Sequence, residues 1–170
     1  MTEIAKFKPK TVYVTYIAAT SEKVWQALTA PEFTRKYFWQ RSIELEPKRG
    51  GAFALRLPDG RVNVRGKVID YDPLRKLSVT WRVEWPEGFD KLPECLVSYE
   101  IAPAGEAVRL TMTESHSWDV PDAILSGGRT GWPAILSSLK SLLETGKAPA
   151  IAMEPPKEMI EAIKTLRGSA

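Results

Sequence analysis

The segment from Leu77 to Trp85 constrains the fold most, because its apolar and polar side chains alternate without interruption. Leu77, Val79, Trp81, Val83 and Trp85 alternate with Ser78, Thr80, Arg82 and Glu84. A period of two residues predicts a β-strand with one buried and one solvent-facing side, which is typical of antiparallel sheets. The apolar side of such a strand needs a second layer to cover it.

Similar alternation occurs in six other segments, which gives seven predicted strands in all. The other six begin near Thr11, Ile43, Phe53, Val62, Val97 and Val108. Short turn-like links such as Pro58-Asp59-Gly60 favour hairpins over parallel crossovers. Two short helices are predicted between the first two strands, one over residues 21–29 after Thr20 as N-cap and one from Pro31.

The last long element is a helix, predicted over residues 130–145. Its apolar face carries Trp132, Ile135, Leu136, Leu139, Leu142 and Leu143, and Gly146 supplies a stop. A helix of this length measures about 24 Å, comparable to the span of about 30 Å expected for the strand from Leu77 to Trp85. We therefore expect an α+β fold in which a curved antiparallel seven-stranded sheet grips the long C-terminal helix.

The widths of these two layers do not match, because a helix about 10 Å wide cannot cover seven strands about 4.8 Å apart. Curling the sheet around the helix tends to leave space for a hydrophobic pocket. A core filled by large side chains is the alternative, and residue types alone favour it. The predicted ligand-binding residues lie on the apolar sides of the two layers: Phe53, Leu55, Val64, Val79, Trp81, Tyr99, Leu110, Met112, Trp132, Leu136 and Leu139.

His116, the only histidine, lies two residues after Glu114 near the end of the last strand. Alternation places both on the side of Met112, which makes them weak candidates for general acid–base chemistry at a cavity mouth. Two solvent-facing side chains are the stronger interpretation, because no nucleophile or metal-ligand set accompanies the pair. We expect no metal and no cofactor, and a binding protein rather than an enzyme.

Two further features are assigned structural roles. Cys95 is the only cysteine, which excludes an internal disulfide, and it is expected to be an inert apolar residue. The glycine-rich stretch over residues 127–131 lacks the Lys-Ser/Thr of a phosphate-binding loop. It is interpreted as a flexible lead into the last helix, whose mobility could gate a pocket.

Composition excludes several classes of function. The 24 Lys and Arg residues against 21 Asp and Glu give a net charge of +3, which is too small to predict nucleic-acid binding. No apolar run approaches the length of about 20 residues that spans a bilayer. The first ten residues lack the apolar core of a secretory signal. We expect a cytoplasmic protein with neither nucleic acid nor membrane as a partner.

Three segments, in order, resemble the START-like (SRPBCC, helix-grip) superfamily, and more narrowly the family related to the activator of heat-shock protein 90 ATPase. They are ATSEKVWQALTAPE at residues 19–32, RGKVIDYDPLRKLSVTW at residues 65–81 and GWPAILSSLKSLL at residues 131–143. The resemblance covers residues 11–146 and implies a curved sheet around a C-terminal helix, often with an apolar cavity. It favours the pocket over the filled core.

The resemblance implies non-catalytic binding of a small hydrophobic molecule as the leading function. One alternative is a stress-related cochaperone that contacts a heat-shock chaperone, and a less favoured one is a cyclase- or hydrolase-type enzyme that uses His116 and Glu114. Residues 1–146 form the predicted domain, and residues 147–170 lie outside the family pattern as a linker and a short helix. The apolar stripe of that helix needs cover from the domain or from a second chain in a homodimer.

Overall fold

The computed structural model describes residues 2–152 and 154–166. Its strands are β1 (Lys8–Ile17), β2 (Ser42–Leu45), β3 (Ala52–Arg56), β4 (Val62–Asp72), β5 (Lys76–Val83), β6 (Cys95–Ala104) and β7 (Ala107–His116). They form one sheet in the order β1-β7-β6-β5-β4-β3-β2, and every neighbouring pair is antiparallel. The predicted seven-stranded antiparallel sheet is confirmed.

The helices are α1 (Thr2–Ala5), α2 (Ser21–Thr29), α3 (Pro31–Tyr37), α4 (Asp122–Thr145) and α5 (Lys157–Thr165). The two short helices between β1 and β2 are therefore confirmed. The hydroxyl oxygen of Thr20 accepts a hydrogen bond from the backbone N–H of Lys23 at 3.2 Å, which caps α2 as predicted. The long helix α4 has 24 residues and begins at Asp122 rather than at residue 130.

The glycine-rich stretch explains this difference, and its interpretation as a flexible lead is wrong. Gly127 and Gly128 lie inside α4, where each allows a close approach. A Cβ atom on Gly127 would lie 2.2 Å from Sδ of Met159, and one on Gly128 would lie 2.6 Å from Oε2 of Glu114. The two glycines therefore let α5 and β7 pack against α4, and flexibility is not their role.

The layers are filled at one end, where β5 and β7 begin and β6 ends. Leu77, Leu110, Met112 and Leu139 are at most 1% exposed there and belong to a continuous apolar core. Only a void of about 20 Å³ lies nearby, under α2 and α3. At this end the space between the layers is filled by side chains, which is the alternative that residue types alone favoured.

Residues 147–152 and 154–166 fold back onto the sheet and α4. The hydroxyl of Ser141 donates to the backbone oxygen of Lys147 at 2.8 Å, and Nε1 of Trp39 donates to the backbone oxygen of Ile151 at 3.3 Å. Helix α5 packs against α4 through Met159, and its Ile163 is buried. The apolar stripe of α5 is thus partly covered by the same chain, with Ile163 buried and Met159 and Leu166 half-buried.

Within the part of the chain that the structure describes, no helix has the length and apolarity needed to cross a bilayer.

Candidate functional site

A cavity of about 610 Å³ lies at the other end of the layers. Antiparallel pairing brings the start of β4, the end of β5, the start of β6 and the end of β7 to the same end of the sheet. The cavity is lined there by Val64, Trp81 and Val97 from the sheet and by Ile124, Leu125 and Trp132 from α4. Ile151, Ala152, Pro155 and Met159 from the C-terminal segment also line it.

The structure divides the eleven predicted ligand-binding residues among three places. Val64, Trp81 and Trp132 line the large cavity. Phe53, Leu55, Val79 and Tyr99 line the small void, which Trp81 also borders. Leu110, Met112, Leu136 and Leu139 are at most 5% exposed in the apolar core and border neither space. Alternation identifies the side of a strand that is buried, but it does not tell which end of that side stays open.

Several cavity residues were missed because they lie in connecting segments. Trp39 follows α3 and Trp118 follows β7. Phe89 and Trp85 lie between β5 and β6, because β5 ends at Val83 and not at Trp85 as predicted. All four are aromatic, and each lies outside the β-strands and α-helices. Large aromatic side chains clustered in loops are a signal that could have identified this site from the sequence.

Glu114 and His116 lie in the cavity wall and are each 9% exposed, so the solvent-facing interpretation is wrong. Oε1 of Glu114 lies 2.7 Å from Nε2 of His116, and Nε1 of Trp132 donates to Oε2 at 2.8 Å. A carboxylate oxygen accepts hydrogen bonds, so Nε2 of His116 is the donor in this pair when Glu114 is ionised. Nδ1 of His116 and Nε1 of Trp118 are buried and have no hydrogen-bond partner among residues 2–152 and 154–166.

Cys95 also lines the cavity, and its surroundings suppress its reactivity. Burial, with a smaller contribution from the charges of Glu114 and Glu94, raises the pKa of the Cys95 thiol well above its usual value. The thiolate is the nucleophilic form of cysteine, so the protonated thiol is a weak nucleophile. Among residues 2–152 and 154–166, no group of three or more His, Cys, Asp or Glu side chains could hold a metal ion.

Arg41 contributes the positive charge of the cavity wall. The two residues before it, Trp39 and Gln40, have φ angles of 46° and 62°, and this left-handed turn directs the chain from α3 into β2. Nε of Arg41 donates to Oδ1 of Asn63 at 2.6 Å, and Nδ2 of Asn63 donates to the backbone oxygen of Trp85 at 2.6 Å. The Arg41 guanidinium lies 5.5 Å from the centroid of the Trp39 ring.

The model of the Activator of Hsp90 ATPase homolog 1-like protein family matches residues 18–144. The chain belongs to this family. Its predicted place in the START-like superfamily is confirmed by this match and by the fold. The match includes the sheet walls of the cavity and ends one residue before the end of α4, so Ile151, Pro155 and Met159 lie outside it.

Solved structures with the same fold are similar to this family member. Protein MLL2253 from Mesorhizobium loti is 26% identical with a TM-score of 0.62, over 78% of this chain and 96% of that one. The Aha1 dimer from Colwellia psychrerythraea is 23% identical with a TM-score of 0.65, over 81% and 97%. CalU16 from Micromonospora echinospora is 20% identical with a TM-score of 0.63, over 90% and 80%. No curated protein sequence matches the chain significantly.

Proposed function

We propose that this protein binds a small hydrophobic molecule in the cavity between the sheet and α4, without chemical conversion. The observation that carries the proposal is the cavity of about 610 Å³ with largely apolar and aromatic walls. Small-molecule sites typically occupy about 300–1,000 Å³ and combine apolar walls with a few polar groups. Arg41, Asn63, Glu114 and His116 are such polar groups here.

Binding is better supported than catalysis because the polar groups of the cavity engage one another. Both oxygens of Glu114 are hydrogen-bonded, one to His116 and one to Trp132. The raised pKa of the Cys95 thiol keeps it in the protonated form, which is a weak nucleophile. The Glu114–His116 pair therefore works best as a fixed polar patch that orients a bound molecule.

Native mass spectrometry of the purified protein, together with a thermal-shift screen of lipids and aromatic compounds, tests this proposal. Val83→Trp places a large ring in the cavity wall, and Val12→Trp is the matched control on the exposed side of β1. We expect a bound mass or a ligand-induced rise in Tm for the wild type and Val12→Trp. Val83→Trp should lose this response because the added ring occupies the ligand volume. Absence of any bound mass and any thermal response would reject the proposal.

A cochaperone role in the cytoplasm is a second candidate, which family membership favours. The edge strand β1 presents Val12, Val14 and Tyr16 to solvent, and each is more than half exposed. Such an apolar stripe is suited to contact with another protein. The test is the ATP turnover of a purified Hsp90-type chaperone on addition of this protein, with Val12→Lys as the variant that should abolish an effect. Unchanged turnover and no co-elution would remove the candidate.

A homodimer also stays a prediction, supported by the dimeric state named for the Colwellia psychrerythraea structure. Size-exclusion chromatography of the full chain and of a chain ending at Gly146 tests whether the C-terminal segment takes part. Elution as a monomer in both cases would contradict it.

A further inference from the structure

Arg41 places a positive charge in the wall of a mostly apolar cavity without an acidic partner. The side chain is half-buried, and it forms no ion pair with any residue in the described ranges 2–152 and 154–166. Burial lowers the pKa of Arg41, because removing water disfavours the charged guanidinium. Arginine nevertheless stays protonated at neutral pH. An uncompensated charge in such a position is unfavourable until an anion joins it.

The protein holds this guanidinium in a fixed orientation. Oδ1 of Asn63 accepts from Nε of Arg41, and the amide group of Asn63 is itself oriented by the backbone oxygen of Trp85. Among the residues of the structure, the side chain of Arg41 donates a hydrogen bond through Nε, so its terminal nitrogens Nη1 and Nη2 are available as donors. Those nitrogens can form the paired hydrogen bonds that arginine makes to a carboxylate. An oriented donor pair loses less conformational freedom when a ligand binds.

The acidic residue of the cavity wall does not neutralise Arg41. Glu114 lies on β7 and Asn63 on β4, which are three strand positions apart in the sheet. Three interstrand spacings correspond to about 14 Å. Both oxygens of Glu114 are already engaged by His116 and Trp132. The two polar groups thus sit toward opposite sides of the cavity.

The wall between them is apolar and belongs to β5 and β6. Trp81, Val83 and Val97 line it. A molecule that fills this space needs an apolar body and gains by carrying an anionic group at the end near Arg41.

We propose that the cavity takes an amphipathic acid, with its carboxylate on the Arg41 guanidinium and its apolar body over Trp81, Val83 and Val97. The inference rests on the proposed binding function and specifies the class of ligand. It assigns Arg41 the role of selecting acids over neutral molecules of the same shape, and Asn63 the role of positioning Arg41.

Two fluorescent probes with the same ring system test this assignment, 1-pyrenebutyric acid and 1-pyrenebutanol, titrated at neutral pH. The wild type should bind the acid about tenfold more tightly than the alcohol, as expected for a charge-assisted hydrogen-bond pair. Arg41→Met should weaken acid binding about tenfold and alcohol binding far less, because the alcohol forms no charge-assisted pair with the guanidinium. Arg35→Met, which removes an exposed arginine of α3, should change neither.

The outcomes separate the two proposals. Equal affinity of the wild type for acid and alcohol, or an equal loss of both in Arg41→Met, would overturn the assignment of Arg41 and leave hydrophobic binding standing. Failure of both probes and of the lipid and aromatic screen would reject the binding function and this inference with it. If circular dichroism shows that Arg41→Met does not fold, Asn63→Ala serves as the test variant. It should reduce acid binding several-fold without affecting the alcohol, and an unchanged preference for the acid would overturn the inference.

Discussion

The two ends of the space between the sheet and α4 are built from the same layers but differ in packing. At the filled end, Leu77, Leu110 and Leu139 are almost completely buried and leave only the void of about 20 Å³ nearby. At the open end, the same sheet and helix enclose about 610 Å³. The filled end combines aliphatic side chains with Tyr37 and Tyr99, whereas the open end combines apolar side chains with polar groups such as Arg41 and Glu114.

A partition of aromatic rings separates these ends. Trp81 and Phe38 border both spaces. The ring centroids of Trp81 and Trp132 are 5.4 Å apart, and those of Phe38 and Trp132 are 5.8 Å apart. Rings at these distances support one another in fixed orientations. The comparison shows that the filled end and this partition stabilise the fold, so the residues beyond the partition are available for function.

The largest expected difference between the ends is in stability. Leu139→Ala removes a fully buried side chain from the filled end and should lower the free energy of unfolding by about 2–5 kcal/mol. Leu57→Ala removes a half-buried cavity residue and should cost about 1 kcal/mol or less. Urea unfolding followed by circular dichroism measures both values. Equal losses would mean that the open end contributes to stability as much as the filled end.

Alkaline pH should act on the filled end. Burial raises the pKa of Tyr37 well above its usual value, with a smaller effect from Tyr99, and burial also raises the pKa of Tyr99. Unfolded tyrosines ionise near pH 10, so the stabilisation is complete below that pH and is lost as the pH rises toward the folded pKa values. The loss at pH 11 is on the order of 1.4 kcal/mol for each tyrosine.

Tyr37→Phe provides the comparison for this effect. It removes the hydrogen bond of 2.7 Å from the Tyr37 hydroxyl to the backbone oxygen of Ala27, so stability at pH 8 should fall by about 1 kcal/mol. The further decline between pH 8 and pH 11 should be shallower than in the wild type. Urea unfolding at both pH values measures this slope, and identical slopes would show that Tyr37 does not contribute.

Gly127 and Gly128 of α4 give a smaller effect that distinguishes the contacts of the open end. Alanine gains about 1 kcal/mol over glycine in a helix. In Gly128→Ala the new Cβ meets Oε2 of Glu114, which His116 and Trp132 hold in place, so we expect a net loss of about 1–2 kcal/mol. In Gly127→Ala it meets the flexible side chain of Met159, which can move, so stability should stay nearly unchanged. Thermal unfolding compares the variants, and a larger loss for Gly127→Ala would contradict this explanation.

The smallest effect concerns the C-terminal segment from residue 147, which lines the open end. Trp39→Phe removes the hydrogen bond of 3.3 Å to the backbone oxygen of Ile151, which contributes about 0.5–1 kcal/mol. Limited proteolysis should cleave the segment after Gly146 several-fold faster, with little change in Tm. Trp25→Phe alters a ring that contacts Tyr71 instead, so it serves as the control. Equal cleavage rates for the wild type and Trp39→Phe would show that this hydrogen bond does not keep the C-terminal segment in place.

The fold was predictable because its signals are local. The alternation from Leu77 to Val83 and the helical spacing from Trp132 to Leu143 each depend on neighbouring residues alone. The open end was not predictable in the same way. Leu139 and Trp132 share one face of α4, yet one is in the filled core and the other lines the cavity.

Two site features depend on contacts between distant residues. The burial of Glu114 requires α4 to begin at Asp122, and the glycines at positions 127 and 128 obscured that start in the sequence. The position of Arg41 depends on the left-handed turn at Trp39 and Gln40 and on Asn63 of the neighbouring strand. Trp and Gln do not favour a left-handed φ as glycine does, so no local pattern indicated the turn at Trp39 and Gln40.

The C-terminal segment, described over residues 147–152 and 154–166, closes one side of the cavity through Ile151, Pro155 and Met159 and lies outside the sheet. Its detachment would open an exit while the strands and α4 stay folded. Under the proposed binding function, substitutions in this segment would change how long a bound molecule stays without altering the rest of the fold.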